Sequence, residues 1–299
     1  MRILLAEHHG LCFGVRDALA RAETLAAAGP LTILGELVHN PVALARLQAH
    51  GARQGDLADL ASAAPNARVL VTAHGASDER RGAWRAAGFQ VHDTTCPLVR
   101  RAHAQLAALV AAGYQPVVIG RADHAEVRGL TGDFPGTAVI ENEADVADVP
   151  AATRYGVIAQ TTQPSAKVRA LVDTLRAARP EAEVVYRDTI CQPTKDRQAA
   201  LAKLLAEAEV VVVVGGRGSN NTRQLVLAAQ AAGRRAHQIE RADELDPAWL
   251  DDVEVVGLTA GTSTLPETVR AVRARLEEFA AASMPPSRLG TASPARTSA

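Results

Sequence analysis

The sequence predicts an α/β protein made of three similar modules with parallel sheets. Three observations predict it. Short β-branched runs alternate with Ala/Leu/Arg stretches of helical length along nearly the whole chain. The 47% hydrophobic content is carried by Val, Leu, Ile and Ala, with aromatics at only 3%, the composition of packed α/β layers. And one strand-to-helix junction, each time bearing a cysteine, occurs three times.

Taken in order, strands are expected at residues 2–6, 31–34, 68–72, 89–92, 116–120, 137–140 and 155–159, and again at 183–187, 209–214, 235–239 and 254–259. Helical stretches fill nearly every interval, most clearly 13–28, 97–112, 164–178 and 193–208. The opening Met1-Arg-Ile-Leu-Leu-Ala is too short for the apolar region of a signal peptide and reads as the first strand. Val210 to Val214 is an unbroken apolar run, as expected of a strand buried on both faces. After Ala282 the chain turns to Ser-Met-Pro-Pro-Ser-Arg-Leu-Gly, and 283–299 is expected to be a disordered tail. The expected modules are 13–95, 96–190, and 191–282 completed by the N-terminal strand in 1–12.

A chain of 299 residues with a formal net charge of −1 carries no field that would draw it onto nucleic acid or an anionic membrane. No run approaches the roughly 18 apolar residues of a membrane span. A cytoplasmic protein is expected, with partners that include neither nucleic acid nor membrane. Three cysteines cannot pair among themselves, which excludes a disulfide framework.

The cysteines share one setting. Asp93-Thr-Thr-Cys96-Pro and Asp188-Thr-Ile-Cys191-Gln-Pro share a D-T-x-C core, and each follows a strand and opens a helix with basic residues (Arg100 and Arg101; Lys195 and Arg197). Cys12 likewise follows a strand and a short loop and precedes a helix carrying Arg16. A lone buried cysteine is usually a small hydrophobe; three at equivalent junctions are better explained as ligands. A helix N-terminus should lower a thiol's pKa, and ligands gather at the C-terminal ends of parallel strands. Three thiolates could hold zinc or an iron–sulfur cluster. Structural zinc prefers four ligands in close pairs, whereas a cluster on three thiolates leaves one iron open for substrate.

Other strand ends carry polar groups: Val38-His39-Asn40, Ala73-His74-Gly75, His124-Ala-Glu126, Gln160-Thr161-Thr162, Gly215-Gly-Arg-Gly-Ser219-Asn220-Asn221 and Thr259-Ala-Gly-Thr-Ser263. The Gly215 loop resembles an anion cradle at a helix start, without the lysine of a P-loop. Each histidine or N-cap alone is an ordinary structural group; together they point to one polar, anion-binding pocket. Glu126, two residues after His124, could deliver protons or simply complement a helix dipole. His50, His92, His103 and His237 fall outside the pattern and read as structural or surface residues.

With Gly10-Leu-Cys12-Phe-Gly-Val and Asp93-Thr-Thr-Cys96-Pro-Leu-Val, these motifs in this order resemble the 4-hydroxy-3-methylbut-2-enyl diphosphate reductases, the LytB family, from Met1 to about Phe279. The resemblance implies three lobes around a 4Fe–4S cluster held by Cys12, Cys96 and Cys191, with one iron lacking a protein ligand. It implies that His39, His74, His124, Ser219, Asn220, Asn221 and Ser263 bind the substrate diphosphate. Thr161 and Glu126 would contact the hydroxymethyl end, with Glu126 as proton donor. The implied reaction takes two electrons and two protons, expels water from the allylic alcohol, and yields isopentenyl and dimethylallyl diphosphates, the last step of the methylerythritol phosphate isoprenoid pathway. An electron donor such as ferredoxin or flavodoxin is implied as partner. Three positions depart from the family pattern: Ala125 replaces a common proline, Asn220 a common serine, and the segment from Ser263 to Pro266 is one residue longer. The alternative is a non-redox iron–sulfur hydro-lyase acting on an anionic substrate, which would need no external reductant.

Overall fold

The computed structural model describes residues 1–38 and 41–282 of the chain. His39 and the expected tail at 283–299 lie outside the described residues. The chain opens with β1 (Arg2–Leu5) and α1 (Phe13–Ala27). Next come β2 (Leu31–Leu34), α2 (Pro41–Ala49), β3 (Ala52–Gly55), β4 (Arg68–Val71), α3 (Asp78–Ala86) and β5 (Gln90–Asp93). Then α4 (Pro97–Ala111) leads into β6 (Gln115–Ile119), α5 (Ala125–Gly132), β7 (Ala138–Ile140), β8 (Arg154–Ala159), α6 (Ser165–Ala178) and β9 (Glu183–Tyr186). Finally α7 (Gln192–Leu205) precedes β10 (Val210–Val214), α8 (Asn220–Ala231), β11 (Arg235–Ile239), β12 (Val255–Ala260) and α9 (Pro266–Ala282).

The strands make three four-stranded sheets, ordered β3-β2-β4-β5, β7-β6-β8-β9 and β11-β10-β12-β1. Every pairing is parallel. The three orders superimpose position for position, and in each the strand that leads to a cysteine (β5, β9 or β1) sits at one edge. In the last sheet that strand is the chain's first, with Arg2 opposite Val255.

Alternation puts a core on both faces of each sheet. Val210, Val212 and Val214 pack with Ile239, Leu258 and Leu276 on one side, while Val211 and Val213 pack with Leu201 and Leu225 on the other. Val117 and Ile119 face away from Val118 in the same way, as do Leu70 and Val69. Burial on both faces requires the continuous apolar runs seen in the sequence.

The expected strands all form, with ends displaced by a residue or so, and one strand was not expected. β3 reads Ala-Arg-Gln-Gly with Arg53 and Gln54 exposed; it is an edge strand whose only partner is β2, so it carries no apolar run. The helix expected at 193–208 ends at Leu205, because the chain must turn before β10. No described helix is long and apolar enough to cross a membrane.

Candidate functional site

Each cysteine is the N-cap of a long helix: Cys12 of α1, Cys96 of α4 and Cys191 of α7. The D-T-x-C core has a local explanation. Asp93 Oδ1 accepts from the Thr95 amide at 2.9 Å and Asp188 Oδ1 from the Ile190 amide at 3.1 Å, the turn an aspartate makes two residues ahead. Thr94 Oγ1 donates to the Val71 carbonyl at 2.6 Å, and Thr189 Oγ1 to the Ala159 carbonyl at 2.5 Å, tying each junction to the neighbouring strand. The cysteine amides then donate to equivalent carbonyls: Cys12 to Thr262 at 3.0 Å, Cys96 to Ala73 at 3.1 Å and Cys191 to Thr161 at 3.0 Å.

The three cysteines line one cavity of ≈ 70 Å³. His74, His124, Glu126, Thr161, Ser219, Asn220, Asn221 and Ser263 line it too. All expected site residues within the described part of the chain are thus brought together; His39 lies outside the described residues. Among the described residues, five helix N-caps (Cys12, Cys96, His124, Cys191 and Ser219) border this one space. Helix N-termini present unpaired amides and the positive end of the backbone dipole, so their convergence favours an anionic occupant.

Residue geometry sorts the groups further. Ser219 Oγ accepts from the Thr222 amide at 3.3 Å, an ordinary N-cap bond. Asn221 Oδ1 accepts from the Thr262 amide at 3.1 Å, which fixes the side chain so that its NH₂ is the end left to donate. Asn220 differs: its Nδ2 donates to the Thr162 carbonyl at 3.2 Å and to Thr162 Oγ1 at 3.0 Å. Its amide side chain therefore ties α8 to the end of β8. The His74 and His124 rings meet edge to face with centroids 5.3 Å apart. His124 Nδ1 accepts from the Glu126 amide at 3.1 Å, so the neutral ring carries its proton on Nε2, a donor.

Glu126 is 2% exposed. Its Oε1 accepts from the Thr161 amide at 2.7 Å and its Oε2 from Thr161 Oγ1 at 2.9 Å. Burial pushes its carboxyl up to about 7, against the two hydrogen bonds that favour the ionised form. It is therefore a carboxylic acid poised near neutrality, not an ordinary first-turn glutamate.

The thiols correct one expectation. Helix N-termini were expected to lower their pKa values, yet burial pushes the Cys96 thiol up despite amide bonds from Leu98 and Val99, and raises Cys191 to about 11. Desolvation of the charged form outweighs two amides at Cys96 and the Thr194 amide and hydroxyl at Cys191. Two lining residues of consequence were not singled out, Thr162 and Gly14. Gly14 lies where a Cβ would come within 2.5 Å of Cys96 Sγ; it stands within the Gly10-Leu-Cys12-Phe-Gly segment, but its reason is contact with a different module.

Known proteins resemble this chain over most of its length. Residues 3–277 match the family model described as LytB protein. A Mycobacterium tuberculosis protein named 4-hydroxy-3-methylbut-2-enyl diphosphate reductase 1 is 36% identical over 285 residues, covering 93% of this chain and 87% of that protein. The Aquifex aeolicus protein of the same enzyme name is 32% identical, covering 93% and 96%. The solved Plasmodium falciparum E-1-hydroxy-2-methyl-but-2-enyl-4-diphosphate reductase superimposes with a TM-score of 0.85 at 27% identity, over 90% of this chain and 86% of that one. A second solved structure, described as (E)-4-hydroxy-3-methyl-but-2-enyl diphosphate reductase, the terminal enzyme of the non-mevalonate pathway, gives 0.66 at 33% identity, covering 93% and 100%.

Proposed function

The chain belongs to the LytB family, and from that membership we infer that it is a 4-hydroxy-3-methylbut-2-enyl diphosphate reductase, acting at the terminal step of the non-mevalonate pathway. The substrate's allylic C–O bond is broken with two electrons and two protons; water leaves, and isopentenyl and dimethylallyl diphosphates remain. The observation that carries the reading is the single cavity in which three N-cap thiols, an anion-favouring helix start and a near-neutral carboxyl meet.

The residues fit a 4Fe–4S cluster. Cys12, Cys96 and Cys191 come from three separate strand-to-helix junctions onto one cavity, and Gly14 clears space for the Cys96 sulfur. Among the described residues no three His, Cys, Asp or Glu side chains converge closely enough for a single metal ion. Cys12, Cys96 and Cys191 would hold the cluster. When bound, the cluster supplies electrons and one Lewis-acidic iron without a protein ligand. The positive ends of the helices lining the cavity help offset the charge of the thiolates.

The chain's own groups do the rest. His74, His124, Ser219, Asn221 and Ser263, with His39, take the diphosphate as donors; Asn220 contributes its backbone amide in the first turn of α8. Such a donor set neutralises the anion and orients the hydroxymethyl end toward Glu126 and Thr161. Glu126 holds the proton that the departing hydroxyl needs, and Thr161 Oγ1, 2.9 Å from Glu126 Oε2, can pass it on by accepting from one side and donating to the other. Electrons come from a donor such as ferredoxin or flavodoxin.

Anaerobic purification tests the reading. Iron and sulfide should count to one 4Fe–4S cluster per chain, and a reduced dye should be oxidised only when the allylic diphosphate is added. Ser replacements of Cys12, Cys96 or Cys191 should each lose the cluster, since a hard alkoxide replaces a soft thiolate. Full turnover in any of them, or turnover without reductant as a hydro-lyase would show, overturns it.

A further inference from the structure

The N-terminal cysteine junction lacks the aspartate that braces the other two, and a residue from α7 takes its place. Arg197 is 5% exposed. Its Nη1 donates to the Pro193 carbonyl at 2.7 Å, and its Nη2 donates to the Gly10 carbonyl. One guanidinium therefore holds the turn two residues before Cys12 and the turn two residues after Cys191. Gly10 itself has φ of +68°, a conformation that turns its carbonyl toward α7 and that other residues rarely adopt.

A buried cation is costly unless an anion answers it. Arg81, the other buried arginine beside a cysteine junction, is answered by Asp78 at 2.6 Å and Asp93 at 3.5 Å. Arg197 has no carboxylate pair among the described residues, and its Nε is buried without a partner. Its neighbour Asp196 accepts from Gln192 at 2.7 Å on the exposed side of α7, and adjacent helix positions do not face each other. Burial works against the charged guanidinium, and the acidic groups that favour its charge are, in order, Cys12, Cys191 and Asp196. Arg197 does not line the cavity, so substrate is not its partner.

We propose that Arg197 is the counter-charge of the Cys12 and Cys191 thiolates, a buried permanent cation that joins the two turns and makes the metal group they hold easier to reduce. This rests on the cluster reading above. A fixed positive charge hydrogen-bonded to the turns that carry two of the three cysteines would stabilise the more negative, reduced form, as charge near a cluster generally sets its potential. Arg197 acts through the cysteines, so it is a positioning and charge-compensating residue.

The test is a spectroelectrochemical titration of anaerobically prepared wild type, R197K and R197Q. In R197Q the ratio of reduced to oxidised cluster at a fixed potential should fall about tenfold, a shift of about 59 mV for one electron. R197K, which keeps the charge, should stay within about threefold of wild type. KM for the allylic diphosphate should be unchanged in both variants. A wild-type ratio in a loaded R197Q overturns the proposal, as does a loaded R197K that shifts as far as R197Q. If R197Q takes up no cluster, R197K decides: loading with the wild-type ratio supports the charge role. Failure of R197K to load as well places the role in the fork-shaped carbonyl contacts and overturns it. A wild type that never binds a cluster refutes the functional reading instead, so the two failures are distinct.

Discussion

At Glu126 the carboxyl is held at about 7 against an ordinary 4.5, chiefly by burial. Two consequences follow for one side chain. For the metal-free chain, a raised folded-state pKa means that the stability this group contributes is fully present below about pH 4.5 and lost as pH rises through about 7. At about 1.4 kcal/mol per unit the loss approaches ~3 kcal/mol. Urea unfolding should therefore show wild type weakening relative to E126Q between pH 4.5 and 7; parallel curves would refute this. For the loaded enzyme, E126Q keeps shape and polarity but has no acidic proton. Its kcat should fall by roughly 10²–10⁴ with KM within a few-fold. Wild-type kcat should decline above neutrality as the proton is lost, and that limb should vanish in E126Q. Turnover of E126Q at the wild-type rate would make the carboxylate structural.

The start of α8 shows how one element divides labour between two adjacent asparagines. Both were expected to bind the diphosphate, and both line the cavity, but only Asn221 has its NH₂ uncommitted, its oxygen being pinned by Thr262. N221A should weaken substrate binding about tenfold to a hundredfold, the worth of one charge-assisted hydrogen bond. An analogue without the diphosphate should bind N221A and wild type alike. N220A instead removes two hydrogen bonds to Thr162. It should cost ~1–2 kcal/mol of unfolding stability and less affinity than N221A. Equal affinity losses with unchanged stability would refute this division. The sequence pattern Ser-Asn-Asn marks a helix start, but adjacent helix positions point in different directions, and what each meets depends on a neighbouring module.

At the scale of the whole molecule, the site exists only where three sheets present the same corner to one point. The contact between Gly14 on α1 and the Cys96 sulfur on α4 is the tightest sign of this convergence. G14A would put a methyl carbon 2.5 Å from Cys96 Sγ. Overpacking of that kind costs ~1–3 kcal/mol and displaces the side chain that yields most easily. The variant should fold, by circular dichroism, while its iron and sulfide content falls well below wild type. Normal cluster content would show that the corner tolerates separation.

The sequence by itself determined the α/β class, the strand-helix alternation and the placing of each cysteine at a helix start. Those features are local: a continuous apolar run within a strand, an aspartate turning back on its own backbone, a proline opening a helix. It also supplied a motif order distinctive enough to point to the LytB family. Tertiary structure alone decided the rest. β3 exists because β2 offers an unpaired edge, since Ala-Arg-Gln-Gly has no apolar signal of its own. Glu126 is a near-neutral acid, and Cys191 an unwilling thiolate, because neighbours distant in sequence exclude water from both. Asn220 is a tether and Arg197 a buried cation for the same reason. Dehydration and partner geometry are properties of residues brought together from different modules, and a linear pattern does not record which of them will meet.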